Sequence, residues 1–187
     1  MALRIGSIVG SLRQHSYNRA LIAAAGEVAS EDVTFVEIGG IRDLPAYDED
    51  LDAGDPPPAA RRLREAIGAV DALLIATPEY NSGIPGALKN ALDWASRPFG
   101  ATQIVGKPAA VVGASTSAFG AAWAQADLRK VLTASGARVM EGDLPVTKAA
   151  ERFDSEGTLI DDEIRERLTA YVATFIEFVR TPPEDDW

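Results

Sequence analysis

Apolar positions along the chain fall into two alternating periods. Residues 3–9 carry Leu3, Ile5, Ile8 and Val9 among small residues, and residues 33–38 carry Val33, Phe35, Val36 and Ile38. Ala72-Leu73-Leu74-Ile75-Ala76 is an unbroken apolar run, and Ala109-Ala110-Val111-Val112 lies within 107–114. Runs of this kind suit parallel strands covered on both faces. A fifth strand is expected to start at 137–140. Helical spacing fills the intervals at 19–29, 59–70, 86–95 and 121–135, and again at 161–180, where Ile164, Leu168, Tyr171, Val172, Phe175, Ile176 and Val179 form one stripe. Strand and helix alternate five times, which predicts an α/β sandwich of three layers around a five-stranded parallel sheet. The order expected of such a sheet is 2-1-3-4-5, with one domain over residues 1–180 and a flexible tail over 181–187. Residues 41–58 are acidic and Pro-rich and read as a long surface loop.

In sheets of that order, ligands bind beyond the carboxyl ends of the strands, at the switch point between strands 1 and 3. The loops there are 10–18, 78–85 and 115–120. The first reads Gly10-Ser11-Leu12-Arg13-Gln14-His15-Ser16-Tyr17-Asn18 between a strand and a helix start. Free N–H groups and the dipole at a helix N-terminus attract an anion. Ser11, Ser16 and Asn18 add side-chain hydrogen-bonding groups, and Arg13 adds a planar cation suited to phosphate. The loop reads as a phosphate cradle and the ligand as a mononucleotide. It is neither a Walker A sequence nor G-x-G-x-x-G. The plainer reading is an ordinary strand-to-helix turn with Ser or Asn as N-cap.

Composition narrows the field. The chain has 187 residues, 47% of them hydrophobic and 25% charged, which is ordinary for a globular protein. A formal net charge of −10 argues against nucleic acid and anionic membrane as partners. With no Cys, disulfides, thiolate metal sites and Cys nucleophiles are absent, in keeping with a reducing cytoplasm. The first apolar run is too short for a signal peptide, and a cytoplasmic location is expected. His15 is the single His, and its neighbours do not form a nucleophile elbow.

The second loop, Thr77-Pro78-Glu79-Tyr80-Asn81-Ser82-Gly83-Ile84-Pro85-Gly86, is stiffened by two prolines and enters Ala87-Leu88-Lys89-Asn90-Ala91-Leu92-Asp93-Trp94. Such a loop can lie against a flat heteroaromatic ring, with Tyr80 and Asn81 at the ring edge. In the helix that follows, Leu88, Leu92 and Trp94 read as packing residues. Ser11-x-Arg13-x-x-Ser16-x-Asn18 together with Pro78-Glu79-Tyr80-Asn81-x-x-x-Pro85-Gly86-x-Leu88-Lys89-Asn90-Ala91-x-Asp93-Trp94 closely resembles the NADPH-dependent FMN reductase family, which includes chromate and quinone reductases and azoreductases. The similarity spans about residues 3–140.

The resemblance implies a flavodoxin-like fold and noncovalent FMN. It implies that Ser11, Arg13, Ser16 and Asn18 hold the phosphate, and that Pro78, Glu79, Tyr80 and Asn81 line the isoalloxazine. Ser115 stands in the family's third flavin-side loop, where Gly113-Ala114-Ser115-Thr116-Ser117 departs from the Gly-Ala-Ser-Pro-Gly of many members. The implied activity is ping-pong transfer from NADPH or NADH, through FMN, to quinones or similar small acceptors, with no side-chain nucleophile and no metal. A homodimer or homotetramer is also implied. Two other readings stay open on the residues alone: a flavodoxin-type electron carrier without substrate turnover, and a flavin-free nucleotide-binding or scaffold protein.

Overall fold

A computed structural model describes residues 2–182. It contains β1 (Leu3–Val9), α1 (Tyr17–Val28), β2 (Val33–Glu37), α2 (Glu49–Ala53), α3 (Pro58–Gly68), β3 (Ala72–Ala76), α4 (Gly86–Ala95), β4 (Pro108–Ala114), α5 (Ala122–Ala134), β5 (Arg138–Val139), β6 (Leu144–Val146), α6 (Ala149–Arg152) and α7 (Asp162–Arg180). The sheet is parallel, in the order β2-β1-β3-β4-β5, with β6 also on β4. This is the expected order. Residues 183–187 of the expected tail lie outside the described residues.

Alternation along the strands divides the core. On one face Ile5, Val9, Leu74, Ala76 and Val112 pack with Leu21 of α1 and with Leu168, Val172 and Phe175 of α7. On the other, Ile8, Leu73, Ile75 and Val111 pack with Leu63 and Ile67 of α3, Leu88 and Trp94 of α4, and Leu128 and Leu132 of α5. All five residues of β3 are buried, as a central strand with helices on both faces requires. Pro58 opens α3 at its first helical position, where a missing N–H costs nothing. The Asp161 carboxylate caps α7, accepting from the Ile164 N–H at 2.9 Å.

Three segments differ from the sequence expectation. The fifth strand position is shared: β5 pairs with the start of β4 at Pro108 and Ala109, while β6 pairs with its end from Val112 to Ala114. Residues 140–143 interrupt the two, with Gly142 at φ 92°. Residues 41–58 are not simply a surface loop. Ile41 and Leu44 are buried, a 3-10 turn covers Ile41–Asp43, and α2 follows. Both carboxylate oxygens of Asp52 of α2 accept from the Arg64 Nη2 of α3, at 2.7 and 2.9 Å. Finally, α1 begins at Tyr17, two residues before the apolar spacing starts, because Ser16 supplies the carbonyl that receives the Arg19 and Ala20 amides.

Candidate functional site

Because the strands are parallel, Val9, Ala76 and Ala114 end at one edge of the sheet. The three predicted loops leave from that edge, so the structure brings them together. Between the first two is a cleft of about 370 Å³ bordered by Gly10, Leu12, Arg13, Tyr80, Pro85 and Gly86. Another cleft, of about 450 Å³, lies between the C-terminal halves of α1 and α7, at the opposite end of the sheet and away from these loops.

In the first loop Ser11 and Ser16 are buried while Arg13 is exposed. The Ser11 hydroxyl accepts from the Arg13 amide at 3.4 Å. Ser16 occupies the N-cap of α1, yet its side chain makes no capping bond. Its Oγ is buried without a hydrogen-bond partner. Leaving a buried hydroxyl unpaired costs about 1–3 kcal/mol, so an unpaired hydroxyl at a helix start fits an acceptor brought by a ligand. Among the described residues no carboxylate pairs with Arg13. These groups suit a phosphate.

Asn18 sits elsewhere in the arrangement. It is buried, its Nδ2 donates to the Ala114 carbonyl at 2.9 Å, and its Oδ1 accepts from the Ala114 amide at 2.9 Å. Its amide thus bolts the start of α1 to the end of β4. The sequence pattern contained the Asn, but its partner is distant along the chain.

The second loop is built on a tight turn. Tyr80 and Gly83 exchange both main-chain bonds, at 3.0 and 3.1 Å, around Asn81 at φ 52° and Ser82 at φ 61°. Two left-handed residues in succession match the turn that connects twisted strands. Pro78 is buried, and Tyr80 projects half-exposed. The Glu79 Oε2 accepts from the Ala124 amide at 3.1 Å, which places its charge on the N-terminal turn of α5. Asp127 of α5 returns the contact through the Ile84 amide at 3.4 Å. The second loop and α5 therefore hold each other.

In the third loop the Ser115 hydroxyl accepts from the Ser117 amide at 3.1 Å, and its own amide donates to Val146 of β6. Phe119 and Trp123, both about half exposed, lie with ring centroids 4.6 Å apart. Sequence reasoning missed this aromatic pair, which the four-residue spacing across a helix start had signalled. Leu88, Leu92 and Trp94 pack in the core as expected, and the polar groups of the same helix add anchors that the sequence reading did not assign. Lys89 and Asp93 form an ion pair at 2.7 Å, while Asn90 Nδ2 and Trp94 Nε1 both donate to the Pro45 carbonyl, at 2.8 and 2.9 Å. That helix fastens the segment behind the second loop.

Residues 3–151 match the model of a family described as NADPH-dependent FMN reductase. The chain belongs to the NADPH-dependent FMN reductase family. It is 41% identical over 183 residues to a 2-hydroxy-1,4-benzoquinone reductase of a Burkholderia species, covering 96% of this chain and 98% of that protein. It is likewise 41% identical over 179 residues to an NAD(P)H-dependent FMN reductase of Pseudomonas aeruginosa, covering 95% and 96%. FerB, a flavoenzyme NAD(P)H:(acceptor) oxidoreductase from Paracoccus denitrificans, superposes with a TM-score of 0.87 at 37% identity, covering 95% of this chain and 97% of that one. A flavodoxin from Pseudomonas aeruginosa matches at TM-score 0.57 and 14% identity, a likeness of fold alone. Membership of the NADPH-dependent FMN reductase family makes the protein an oxidoreductase that works with FMN and a pyridine nucleotide. Among the described residues no helix is long and apolar enough to cross a membrane.

Proposed function

We propose that the protein holds FMN noncovalently across the three loops and uses NAD(P)H to reduce quinones or similar small acceptors. The observation that carries the reading is Ser16, an N-cap serine whose buried hydroxyl caps nothing. A plain strand-to-helix turn would spend that hydroxyl on the helix.

In this reading Ser11, Ser16 and the first amides of α1 receive the phosphate, and Arg13 offsets its charge in an otherwise acidic chain. Pro78 to Asn81 support the ring, and the Tyr80–Gly83 turn presents main-chain groups at its edge. Asn18 acts at one remove by fixing the first loop to β4. FMN, when bound, supplies the two-electron chemistry, and the chain supplies binding, orientation and an accessible face. Tyr80, Phe119 and Trp123 remain exposed enough to border the nicotinamide and the acceptor in turn. Quinones suit such a site because they are flat, and the relatives named above include a benzoquinone reductase. A homodimer or homotetramer and a cytoplasmic setting, with its NAD(P)H supply, complete the proposal.

The test is an anaerobic visible spectrum of FMN-loaded protein before and after NADPH. Prompt bleaching of the flavin band, reversed by a benzoquinone, is the expected result. A band that persists overturns the reductase reading, and failure to take up FMN overturns the cradle.

A further inference from the structure

On the other side of the first loop, between β1 and the edge strand β2, lies a second depression of about 500 Å³. Its charged walls are Arg13, Arg19, Glu37, Arg42 and Asp43. Three guanidinium groups therefore face two carboxylates, in a chain whose formal net charge is −10. The Glu37 carboxylate, at the end of β2, is already held by Arg19 at 2.5 Å. Arg42 donates from one nitrogen to the Leu12 carbonyl at 2.5 Å, and no carboxylate pairs with it among the described residues. The floor is Gly39-Gly40, with Gly40 at φ 81° and open space where a side chain would stand at either position. Arg13 borders both this groove and the cleft between the first and second loops.

The end of the second strand is where dinucleotide-binding sheets read the adenosine ribose: a carboxylate there takes a 2′-hydroxyl, and an arginine takes a 2′-phosphate. The rest of that motif is absent here, so only the place in the topology and the chemistry of the groups carry over. Glu37 is neutralised by its own arginine, which disfavours a free ribose hydroxyl as the ligand. Arg19 and Arg42 each spend a single nitrogen in these contacts, which leaves guanidinium edges for a phosphomonoester, a group they recognise better than a lysine does. We propose that this groove is the subsite for the 2′-phosphate end of the pyridine nucleotide, with Arg19 and Arg42 as the residues that select NADPH over NADH. The proposal rests on the FMN and NAD(P)H reading above.

The experiment is calorimetric titration of FMN-saturated protein with 2′,5′-ADP and with 5′-AMP, after flavin loading has been scored by fluorescence quenching. The expected result is binding of 2′,5′-ADP about tenfold or more tighter than 5′-AMP, a difference of about 1.4 kcal/mol or more. Arg19→Ala and Arg42→Ala each remove most of that preference. Arg19→Ala keeps its flavin affinity, since its side chain leaves the first loop and reaches Glu37. Glu37→Gln releases Arg19 and tightens 2′,5′-ADP severalfold. Equal affinity for the two nucleotides, or a preference that both arginine variants retain, overturns the subsite. Release of flavin as 2′,5′-ADP is added also overturns it, because the phosphate has then entered the first-loop cradle. Failure of the flavin to load is read separately and counts against the FMN reading on which the subsite rests.

Discussion

Asn18 makes both of its amide hydrogen bonds to a single residue, Ala114, 96 positions along the chain. One side chain thereby joins the first loop's helix to the strand that launches the third. Asn18→Ala leaves the Ala114 N–H and C=O buried without partners and should cost about 2–4 kcal/mol of stability. Urea unfolding of flavin-free protein measures it. Asn18→Asp retains the acceptor but sets a carboxylate against the Ala114 carbonyl, so it should not restore the loss.

Ser16 should behave in the opposite way. Its hydroxyl is buried and unpaired, so Ser16→Ala removes no bond from the flavin-free protein. The unfolding free energy should be unchanged or up to about 1 kcal/mol higher, while FMN affinity falls about tenfold. A drop in stability comparable to that of an N-cap deletion would show that Ser16 serves the helix and not the ligand.

Ser82 takes a left-handed backbone conformation that costs any residue with a side chain about 1–2 kcal/mol. Ser82→Gly gives the Asn-Gly pair preferred in such turns and should raise stability by about 0.5–1 kcal/mol. Thermal unfolding reads the change. Quinone reduction should be retained, because the Tyr80–Gly83 bonds use main-chain atoms only.

Tyr171 donates to the Val111 carbonyl at 2.7 Å, and burial pushes its hydroxyl up to about 12. In the unfolded chain a tyrosine titrates near 10, so between about pH 10 and 12 the unfolded state releases a proton that the native state keeps. Stability should therefore fall as pH rises through that window, by about 1.4 kcal/mol per pH unit from this group. Burial lowers Lys107 in the folded state, which gives a slope of opposite sign at lower pH. Comparing wild type with Tyr171→Phe cancels the lysine, and the variant should lack the tyrosine's decline.

How far the sequence could be read depended on whether the signal was local. Ala72–Ala76 and Pro108–Ala114 were legible because buried parallel strands are continuously apolar. Leu144–Val146 was not, since a three-residue strand holding Pro145 behind Gly142 looks like a turn. The acidic helix at Glu49–Ala53 escaped because it is one short turn without an apolar stripe, and its ion pair with Arg64 is not visible in the local pattern. Among the candidate site residues, Ser11, Arg13 and Ser16 stand out in the sequence by type and by their place before a helix, and the proposed cradle rests on them. The contacts of Asn18 with Ala114, and of Glu79 with the start of α5, were hidden because each partner lies tens of residues away.

The division of the fifth strand position also bears on self-association. One margin of the sheet is broken into pieces of two and three residues, β5 and β6, and so offers no long row of free main-chain groups. The other margin, β2, is one unbroken strand of five residues, whose outer side carries the free main-chain groups of alternate residues. An exposed row of that kind can template an added strand, and short or interrupted edges resist it. Strand addition from another chain would therefore be confined to β2, where Arg19 and Glu37 stand as charged guards at its end.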